Sequence, residues 1–533
     1  MPGFRGALII YIAAVVVGSF SLRAYGLEEA LGPGGSNAKA VHAIGQTGQG
    51  VKVGILGLQN VDPNHQAFNG VIVHNYAALG LSVYPDWHDT IMAGIIASQG
   101  WLNHIYDIGV SPGVEIHSFK ISARVDISEG FGKLVNIEGC SVIVTGFHYS
   151  SEIANGSSDI TLEYDYYAYN HNVVLVTASG QPDGDVNKIT VPGDSFNSIT
   201  TGGLVLYNPA DETNYRKVGT ISLPGPTIDG RKKPDVTAPS QSQTVPQSRT
   251  LTGTTNTNNY NGTVGATSWA IPHTAGTAAL LLGLANQTAE INDGRNEVIK
   301  AVIVNSAFPN VDSKAGVWTN PADSNNTWHN DRGYGRIDAF GAYQLLDTTP
   351  VVRDIIINAS KGWAWTQMDK NEQHIYFING QKNHRLVMTI AWNRAVIKDN
   401  FGRYQAETSP FNVTLTIIDS NDNFIFSETD ILNNLKKIDI LLPADETYKI
   451  ILTNTTDKTR NYAIAFELLS PILGDFEPLD YIVDEKDLLV LTEHWLDNSA
   501  AFDTNTFGEF VDFTYFARFA SHWLENNPAY TGP

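Results

Sequence analysis

The sequence predicts an α/β protein with a doubly wound, mostly parallel sheet, followed by an antiparallel β-sandwich and a small α-helical module. Between residues 51 and 346, apolar runs typical of buried strands alternate with helical patterns, which is the order of a parallel sheet covered by helices. From residue 351 to 469 the apolar runs are short, alternate with polar residues and are separated by turn-rich stretches, as in a sandwich. The last segment, from residue 471, contains an internal repeat.

The chain has 533 residues, which is too long for a single hydrophobic core. We predict four parts: a signal peptide at 1–26, an α/β domain at 27–346, a β-sandwich at 347–470 and a paired loop–helix repeat at 471–533.

The charge balance and the cysteine content exclude several classes of protein. Lys and Arg number 34 against 55 Asp and Glu, a net charge of −21, which argues against nucleic acid as a partner. Cys140 is the only cysteine in the sequence, so an intramolecular disulfide and a thiol-based zinc cluster are excluded. We interpret Cys140 as a small buried hydrophobic residue.

The N-terminus has the pattern of a secretory signal. Arg5 precedes an apolar run at 7–20, and Ala24-Tyr25-Gly26 offers small residues for cleavage. An uncleaved N-terminal anchor is the alternative. We expect a protein that is secreted, extracellular or held at the cell surface, without a membrane span after removal of the signal.

The individual elements of the α/β part follow from buried-strand and helical patterns. The predicted strands are Val51–Leu56, Val142–Val144 and Val173–Val176, and the predicted helices are Ile91–Ala97, Glu297–Asn305 and Ala339–Leu346. The predicted sandwich strands are Leu386–Ile390, Val413–Ile417, Tyr448–Leu452 and Tyr462–Phe466.

The stretch Ala266–Gly276 carries the clearest chemical pattern. Ser268 stands just before an Ala- and Gly-rich helical run, where free N–H groups and the positive end of the helix dipole favour a developing oxyanion. The alternative is a buried helix that carries Ser and His without catalytic use.

The same stretch resembles the nucleophile motif of the subtilisin-like serine peptidases, Gly-Thr-Ser-Met-Ala-x-Pro-His-x-Ala-Gly, with Ala266 and Trp269 in place of Gly and Met. Supporting segments of that family are matched at 109–116, 225–239 and 333–339. The resemblance covers roughly residues 40 to 346 and implies a subtilisin-like fold, a peptide or protein substrate and catalysis without a cofactor.

The family's histidine segment, His-Gly-Thr-His-Val-Ala-Gly, is matched at four of seven positions by the residues His88-Asp89-Thr90-Ile91-Met92-Ala93-Gly94. The resemblance thus implies Ser268 as nucleophile, His88 as general base and acid, and the Ser268 N–H as an oxyanion donor.

Two positions depart from the family pattern. Gly57 stands where the family has the triad Asp, and Gln181 stands where it has the oxyanion Asn. Asp62, in the loop after the strand, is the candidate substitute acid, whereas Asp86 and Asp89 are expected to point elsewhere. We therefore expect a secreted serine endopeptidase with impaired activity. The alternative is an inactive pseudopeptidase that serves as a peptide-binding or scaffold module.

The C-terminal repeat relates Ile482–Leu496 to Phe510–Leu524 at an offset of 28 residues. It is similar to the paired calcium loop and helix of dockerin modules, which implies Ca²⁺ and a cohesin-like or surface partner. The first loop offers Asp475, Asp480, Asp484 and Asp487; the second keeps Asp503, Asn505 and Asp512 but has Tyr515 at the final ligand position. The alternative is a helical pair held together by Trp495 and Trp523.

Overall fold

A computed structural model describes the chain over residues 26–100, 104–182, 186–206, 214–241, 243–248, 259–262, 265–316 and 327–471, with residues 488, 491 and 492. Residues 1–25 of the predicted signal and all the predicted calcium ligands of the C-terminal repeat lie outside the described residues. In the described part, no helix is both long and apolar enough to cross a lipid bilayer.

The centre of the molecule is an eight-stranded sheet whose first seven strands lie in the order β2-β3-β1-β4-β5-β6-β7, with β8 pairing to β6. All pairs are parallel except β6 with β7. The predicted parallel sheet is therefore confirmed. Its strands are β1 Lys52–Gly57, β2 Val73–Ala77, β3 Glu115–Lys120, β4 Val142–Thr145, β5 Val174–Ala178, β6 Ile199–Val205, β7 Lys217–Val218 and β8 Val236–Pro239.

Helices cover both faces of this sheet. The α-helices are α1 Leu27–Ala30, α2 Ala38–Ala43, α3 Trp87–Ala97, α4 Asp126–Phe131, α5 Asp159–His171, α6 Thr267–Ala285, α7 Asn296–Asn305 and α8 Ala339–Leu346. A 3₁₀ turn at Gln66–Phe68 and a π-helix at Gly132–Ile137 complete the set. α3 and α6 pack on one face of β1, and α4, the π-helix and α5 pack on the other.

Local sequence explains several helix ends. The Ser158 hydroxyl accepts a hydrogen bond from the N–H of Thr161 at the start of α5, and the Asp338 carboxylate does the same for two N–H groups of α8. Short polar acceptors at this position satisfy N–H groups that have no partner inside the helix. α6 is instead buried along almost its whole length, as expected of a central helix that is apolar all round.

The region after residue 350 is a pair of sheets, as predicted. One contains β11-β13-β20-β17-β18 and the other β12-β21-β14-β19, and every pair is antiparallel except β11 with β13. The strands are β11 Ile356–Ile357, β12 Lys361–Met368, β13 Gln373–Gly380, β14 Arg385–Trp392, β15 Val396–Lys398, β16 Tyr404–Ala406, β17 Val413–Ile418, β18 Phe424–Glu428, β19 Leu435–Leu441, β20 Glu446–Asn454 and β21 Arg460–Leu469. Two short hairpins stand apart, β15–β16 and β9 Thr244–Gln247 with β10 Asn259–Gly262.

The second region is docked on the first through α7. The buried Lys437 ammonium donates to the carbonyl oxygens of Val304 and Asn305 at 2.9 and 3.0 Å, and the Thr389 hydroxyl donates to the Asn305 side chain at 3.1 Å. These bonds satisfy carbonyl groups at the end of α7, so the sandwich completes the burial of that helix.

Candidate active site

Two positions singled out by the sequence lie at the carboxyl ends of parallel strands of the central sheet. Gly57 is the last residue of β1, and Gln181 lies three residues beyond the end of β5. Gly146 directly follows β4, the strand between them. In parallel sheets covered by helices, ligands bind in the crevice outside the carboxyl ends of the strands. The fold therefore brings these positions to the place where chemistry is expected.

The start of α3 sets the position of His88. The Asp86 carboxylate caps the helix by accepting from the N–H of Trp87 at 2.8 Å, and the Gln59 side chain accepts from the N–H of His88 at 3.1 Å. The Asp86 carboxylate therefore serves as the helix cap, and no hydrogen bond joins it to the imidazole among the described residues. The helix start is fixed both by its own cap and by the loop after β1.

The acid beside His88 is Asp89. Its Oδ1 lies 3.0 Å from the Nδ1 of His88, and the Asp89 side chain is fully buried while that of His88 is 20% exposed. The expectation that Asp89 points elsewhere is wrong. A buried carboxylate against Nδ1 is the arrangement that orients a catalytic histidine and stabilises its cation.

Gly57 makes room for this acid. A Cβ atom placed on Gly57 would lie 2.1 Å from the Oδ2 of Asp89 and 2.6 Å from its Cγ. The carboxylate therefore fills the volume into which a side chain on Gly57 would project. The acid is present at the strand end, but it is supplied by α3.

The sequence contains the signal for this exchange. The family motifs have Asp at the position of Gly57 and Gly directly after the catalytic histidine, where this chain has Asp89. Each departure taken alone weakens the resemblance. Taken together, they interchange Asp and Gly between positions 57 and 89, which are in contact. Comparing the two motifs as a pair would have identified Asp89.

Asp62 does not replace the triad acid in the described structure. Its Oδ1 accepts a hydrogen bond from the N–H of Asn64 at 3.0 Å, and its own N–H donates to the Thr90 hydroxyl at 2.9 Å. No hydrogen bond joins the Asp62 carboxylate to His88 among the described residues. The loop geometry uses this carboxylate to hold a turn beside α3.

The hydrogen bond to Asp89 also determines which nitrogen of His88 is basic. An ionised carboxylate can only accept, so Nδ1 carries the proton and Nε2 keeps its lone pair. Gly146 borders this pair, since a Cβ there would lie 3.4 Å from the His88 Cε1 and 3.5 Å from the Asp89 Oδ1. The imidazole is therefore held by Asp89 on its Nδ1 side.

Ser268 is the second residue of α6 and is half-buried. Its neighbours link it to both other parts of the site. The Thr267 hydroxyl donates to the carbonyl oxygen of Gly180 at 3.4 Å, and the Trp269 ring centroid lies 5.1 Å from that of His88. No hydrogen bond joins Ser268 to His88 in the described structure; such bonds are often long until substrate binds.

Gln181 follows a constrained turn. Gly180 has φ of +101°, and a Cβ there would lie 2.2 Å from the Thr190 hydroxyl, so the turn requires glycine. The half-buried Gln181 side chain makes no hydrogen bond with any described residue. Its amide is therefore available as a donor beside the helix start that carries Ser268.

Comparison with known proteins shows the family of the chain. The sequence profile of the subtilase family matches residues 48–335. The chain belongs to the subtilase family. It is similar to serine protease AprX of Bacillus subtilis, with 29% identity over 277 residues, and to pyrolysin of Pyrococcus furiosus, with 25% identity over 281 residues.

These matches cover 46% of this subtilase in both cases, and 60% of AprX and 18% of pyrolysin. The matched region thus spans less than two thirds of either relative. Among solved structures, that of the prenylagaramide maturation protease PagA is similar with 22% identity and a TM-score of 0.44, covering 58% of this subtilase and 98% of PagA.

The second histidine of the nucleophile motif has a structural place in this subtilase. His273 lies in α6, is fully buried, and has its ring nitrogens 2.7 Å from the Gln243 Oε1 and 3.2 Å from the Ser36 hydroxyl. Burial lowers the pKa of His273 to about 3. It is therefore a neutral core residue that holds the nucleophile helix and takes no part in proton transfer.

Two tryptophan rings contact the ring of His88 in this subtilase. The Trp87 ring meets the His88 ring edge-on at 5.6 Å, and Trp269 lies 6.1 Å from Trp87. Trp269 is 5% exposed. These rings pack against the imidazole, whose side chain remains 20% exposed.

Proposed function

We propose that this subtilase is a serine endopeptidase that hydrolyses peptide bonds with Ser268, His88 and Asp89. The observation that supports it most strongly is the 3.0 Å contact between the His88 Nδ1 and the buried Asp89 carboxylate. This contact supplies the orienting acid that the residue at position 57 cannot supply. The placement of Ser268 at the start of α6 adds a hydroxyl beside free N–H groups.

The proposed reaction follows from these positions. The Ser268 oxygen attacks the substrate carbonyl carbon while the His88 Nε2 accepts its proton, and Asp89 stabilises the resulting imidazolium. The Ser268 N–H and the Gln181 amide donate to the oxyanion. The protonated histidine then passes its proton to the leaving amine, and a water molecule hydrolyses the acyl-enzyme by the same steps in reverse order.

We further propose that turnover is reduced by Gln181. Its side chain is one methylene longer than the family's Asn, so its NH₂ group overshoots the oxyanion unless the turn at Gly180 retreats. Within this family, loss of one oxyanion donor lowers kcat by about 10²–10³-fold. Because Asp89 replaces the missing triad Asp, the larger of the two expected decreases in kcat does not arise. The displaced amide of Gln181 remains as the cause of reduced turnover.

Reaction with a fluorophosphonate tests the proposal directly, because only an activated serine hydroxyl is labelled. We expect wild-type protein to be labelled and to cleave casein, and Ser268→Ala to do neither. Labelling that persists in Ser268→Ala would place the nucleophile elsewhere. No labelling between pH 6 and pH 9 would overturn the peptidase proposal.

The alternative proposal is a pseudopeptidase that binds peptides without turnover. Two observations favour it, namely the absence of a hydrogen bond between Ser268 and His88 in the described structure and the Gln181 substitution. It predicts saturable binding of peptides with no cleavage by wild-type protein. Casein cleavage that depends on Ser268 would exclude it.

Export of the protein is a further part of the proposal. The buried Asp107 carboxylate accepts from the N–H groups of Leu27 at 2.6 Å and Glu28 at 3.4 Å. Cleavage after Gly26 would convert the Leu27 N–H into an ammonium that faces this carboxylate, a stronger interaction than the amide makes. The apolar run at 7–20 supports the same cleavage.

The cleavage site is tested by intact-mass measurement of the protein recovered from culture medium. We expect the chain to start at Leu27, and we expect Asp107→Asn to lower the thermal stability of the processed form. A chain that keeps Met1 and stays with the membrane fraction would favour the uncleaved anchor.

We also keep the prediction that Asp475, Asp480, Asp484 and Asp487 bind Ca²⁺ and that the repeat docks on a cohesin-like or surface partner. The spacing of the carboxylates in the sequence supports it. Calcium titration of the full chain, compared with Asp475→Asn/Asp484→Asn, is the test. Equal calcium binding by both proteins would remove the metal from this prediction.

A further inference from the structure

Two histidines and a glutamate meet on the central sheet away from the active site. His74 on the edge strand β2 lies directly opposite His117 on β3 in the parallel register. Glu115 precedes His117 by two residues on the same strand, so the two side chains share a face. One ligand atom from each of the three residues lies within 4.8 Å of the others.

His117 presents an unpaired nitrogen to this cluster. The residue is 1% exposed, and its Nε2 has no hydrogen-bond partner among the described residues. The Glu115 Oε2 lies 3.6 Å from this nitrogen, which is beyond hydrogen-bonding distance. A buried polar atom without a partner costs free energy, so this nitrogen requires an explanation.

The opposite nitrogen of the same ring faces polar groups. The Tyr76 hydroxyl lies 3.5 Å from the Nδ1 of His117, and the Glu138 Oε2 lies 3.7 Å from it. Lys133 holds Glu138 in place at 2.6 Å. Metal-binding histidines usually donate their second ring N–H to such groups, which keeps the other nitrogen free for the metal.

Charged groups of both signs lie around the cluster. The Lys52 ammonium donates to the carbonyl oxygen of Glu138 at 3.0 Å, and the Glu115 carboxylate lies 3.6 Å from the His117 Nε2. A carboxylate among the ligands offsets part of the positive charge that a divalent cation adds.

We propose that His74, Glu115 and His117 form a binding site for Zn²⁺ that ties the edge strand β2 to β3. Two imidazole nitrogens and one carboxylate oxygen are a donor set that suits zinc. Ca²⁺ and Mg²⁺ require mainly oxygen ligands, so this set discriminates against them. Water completes the coordination on the exposed side of His74.

The ligand atoms must move closer together to bind the ion. Tetrahedral zinc with bonds of 2.0–2.1 Å places its ligand atoms about 3.3 Å apart. His74 is exposed and the Glu115 side chain is 34% exposed, so both can change rotamer around the fixed His117. The buried histidine is the anchor, and the two outer ligands close on it.

The site lies away from the catalytic residues. His74 and Glu115 are near the amino ends of β2 and β3, whereas His88 and Ser268 stand at the carboxyl ends of the parallel strands. The tested property is therefore metal binding and stability, and its result is independent of peptidase activity.

Calorimetric titration of the metal-free full chain with Zn²⁺ tests the site. The Ser268→Ala/His88→Ala background removes autolysis and the catalytic histidine. We expect one equivalent to bind, with affinity lowered at least tenfold by His74→Ala and also lowered by Glu115→Gln. The matched control is His171→Ala, which removes another exposed histidine and should bind zinc as the background does.

Thermal unfolding gives a second readout. Zinc should raise the Tm of the background and of His171→Ala, but not that of His74→Ala, whereas Ca²⁺ should produce no shift that depends on His74. Tyr76→Phe should weaken zinc binding by about tenfold, as removal of an outer partner of a ligand usually does. Absence of a bound equivalent, or equal zinc affinity in His74→Ala and the background, would overturn the proposal.

Discussion

Asp89 and Gly57 share one volume at the carboxyl end of β1, where a Cβ on Gly57 would lie 2.1 Å from the Asp89 Oδ2. The acid and the histidine it contacts are consecutive residues of α3. Their mutual geometry is therefore set by the start of one helix. In the family pattern, the Asp is on the strand and the His on the helix, so their geometry depends on how the two elements pack. The absent side chain and the added carboxylate are two halves of one change.

Replacement of the acid tests this interpretation. Asp89→Asn removes the charge that stabilises the His88 cation and allows the wrong tautomer, so we expect kcat to fall by about 10⁴-fold, as loss of the triad Asp does in serine peptidases. KM should change little, since the side chain is buried away from the substrate. Steady-state kinetics with a peptide ester measure both constants.

Asp62→Asn is the matched control for this prediction, because it removes a nearby carboxylate that makes no hydrogen bond with His88 in the described structure. We expect its kcat to stay within a few-fold of the wild-type value. If Asp62→Asn were the more damaging of the two substitutions, the assignment of the acid to Asp89 would be wrong.

The exchange can be reversed by a second experiment. Gly57→Asp alone places two carboxylates in one volume, so we expect loss of both activity and stability, since like charges at contact distance are strongly unfavourable. Gly57→Asp/Asp89→Gly restores the pattern of the family motifs and should recover activity to within about tenfold of wild type, because activity then depends on a single acid at the same place.

Non-additive kinetics are the decisive readout for this pair. The double variant should be more active than either single variant, which independent sites cannot produce. A double variant no better than Asp89→Gly alone would show that the acid cannot function from the strand in this protein.

The fold was predictable because its signals are local. α8 and the strands around Leu386 and Tyr462 follow directly from apolar periodicity, and the structure places them within a few residues of the expected bounds. The acid that contacts His88 was not predictable from helix geometry alone, since the side chains of consecutive helix residues normally diverge. What decides the direction of Asp89 is the space beside Gly57, and that space exists only after the strand and helix have packed.

The same limit applies to the proposed zinc site. His74 and His117 are far apart in the sequence, and only the pairing of β2 with β3 places them opposite each other. Single histidines on short strands give no spacing pattern in the sequence.

Gln181→Asn should increase activity. The shorter side chain places the amide where the family's Asn donates to the oxyanion, so we expect kcat to rise by about 10- to 100-fold with little change in KM. Burst and steady-state kinetics on a peptide ester distinguish a faster acylation step from faster product release.

Gln181→Ala serves as the control and separates two explanations. If Gln181 contributes as a donor despite its length, Gln181→Ala lowers kcat. If it contributes nothing, Gln181→Ala leaves kcat unchanged while Gln181→Asn raises it. A decrease in kcat for Gln181→Asn would contradict the view that Gln181 is the source of impairment.

His273 should make the protein sensitive to acid. Burial lowers its folded-state pKa from 6.5 to about 3, so below pH 6.5 the unfolded chain binds a proton that the folded protein excludes. As the pH falls from 6.5 towards 3, His273 therefore lowers the free energy of unfolding by about 1.4 kcal/mol for each pH unit. Above pH 6.5 both states are neutral and the effect is absent.

His273→Gln keeps a polar side chain but removes the titration. Buried acids with raised pKa values, such as Asp338 with a pKa of about 7, have the opposite effect on the pH dependence of stability. They are present in both His273→Gln and its parent, so the informative quantity is the difference in free energy of unfolding between these two proteins. In a Ser268→Ala background, urea unfolding should show the stability of His273→Gln relative to its parent improving by about 3 kcal/mol between pH 7 and pH 4. If the difference in free energy of unfolding between the two proteins stayed constant from pH 7 to pH 4, His273 would take up a proton in the folded state as readily as in the unfolded chain. That outcome would contradict this prediction.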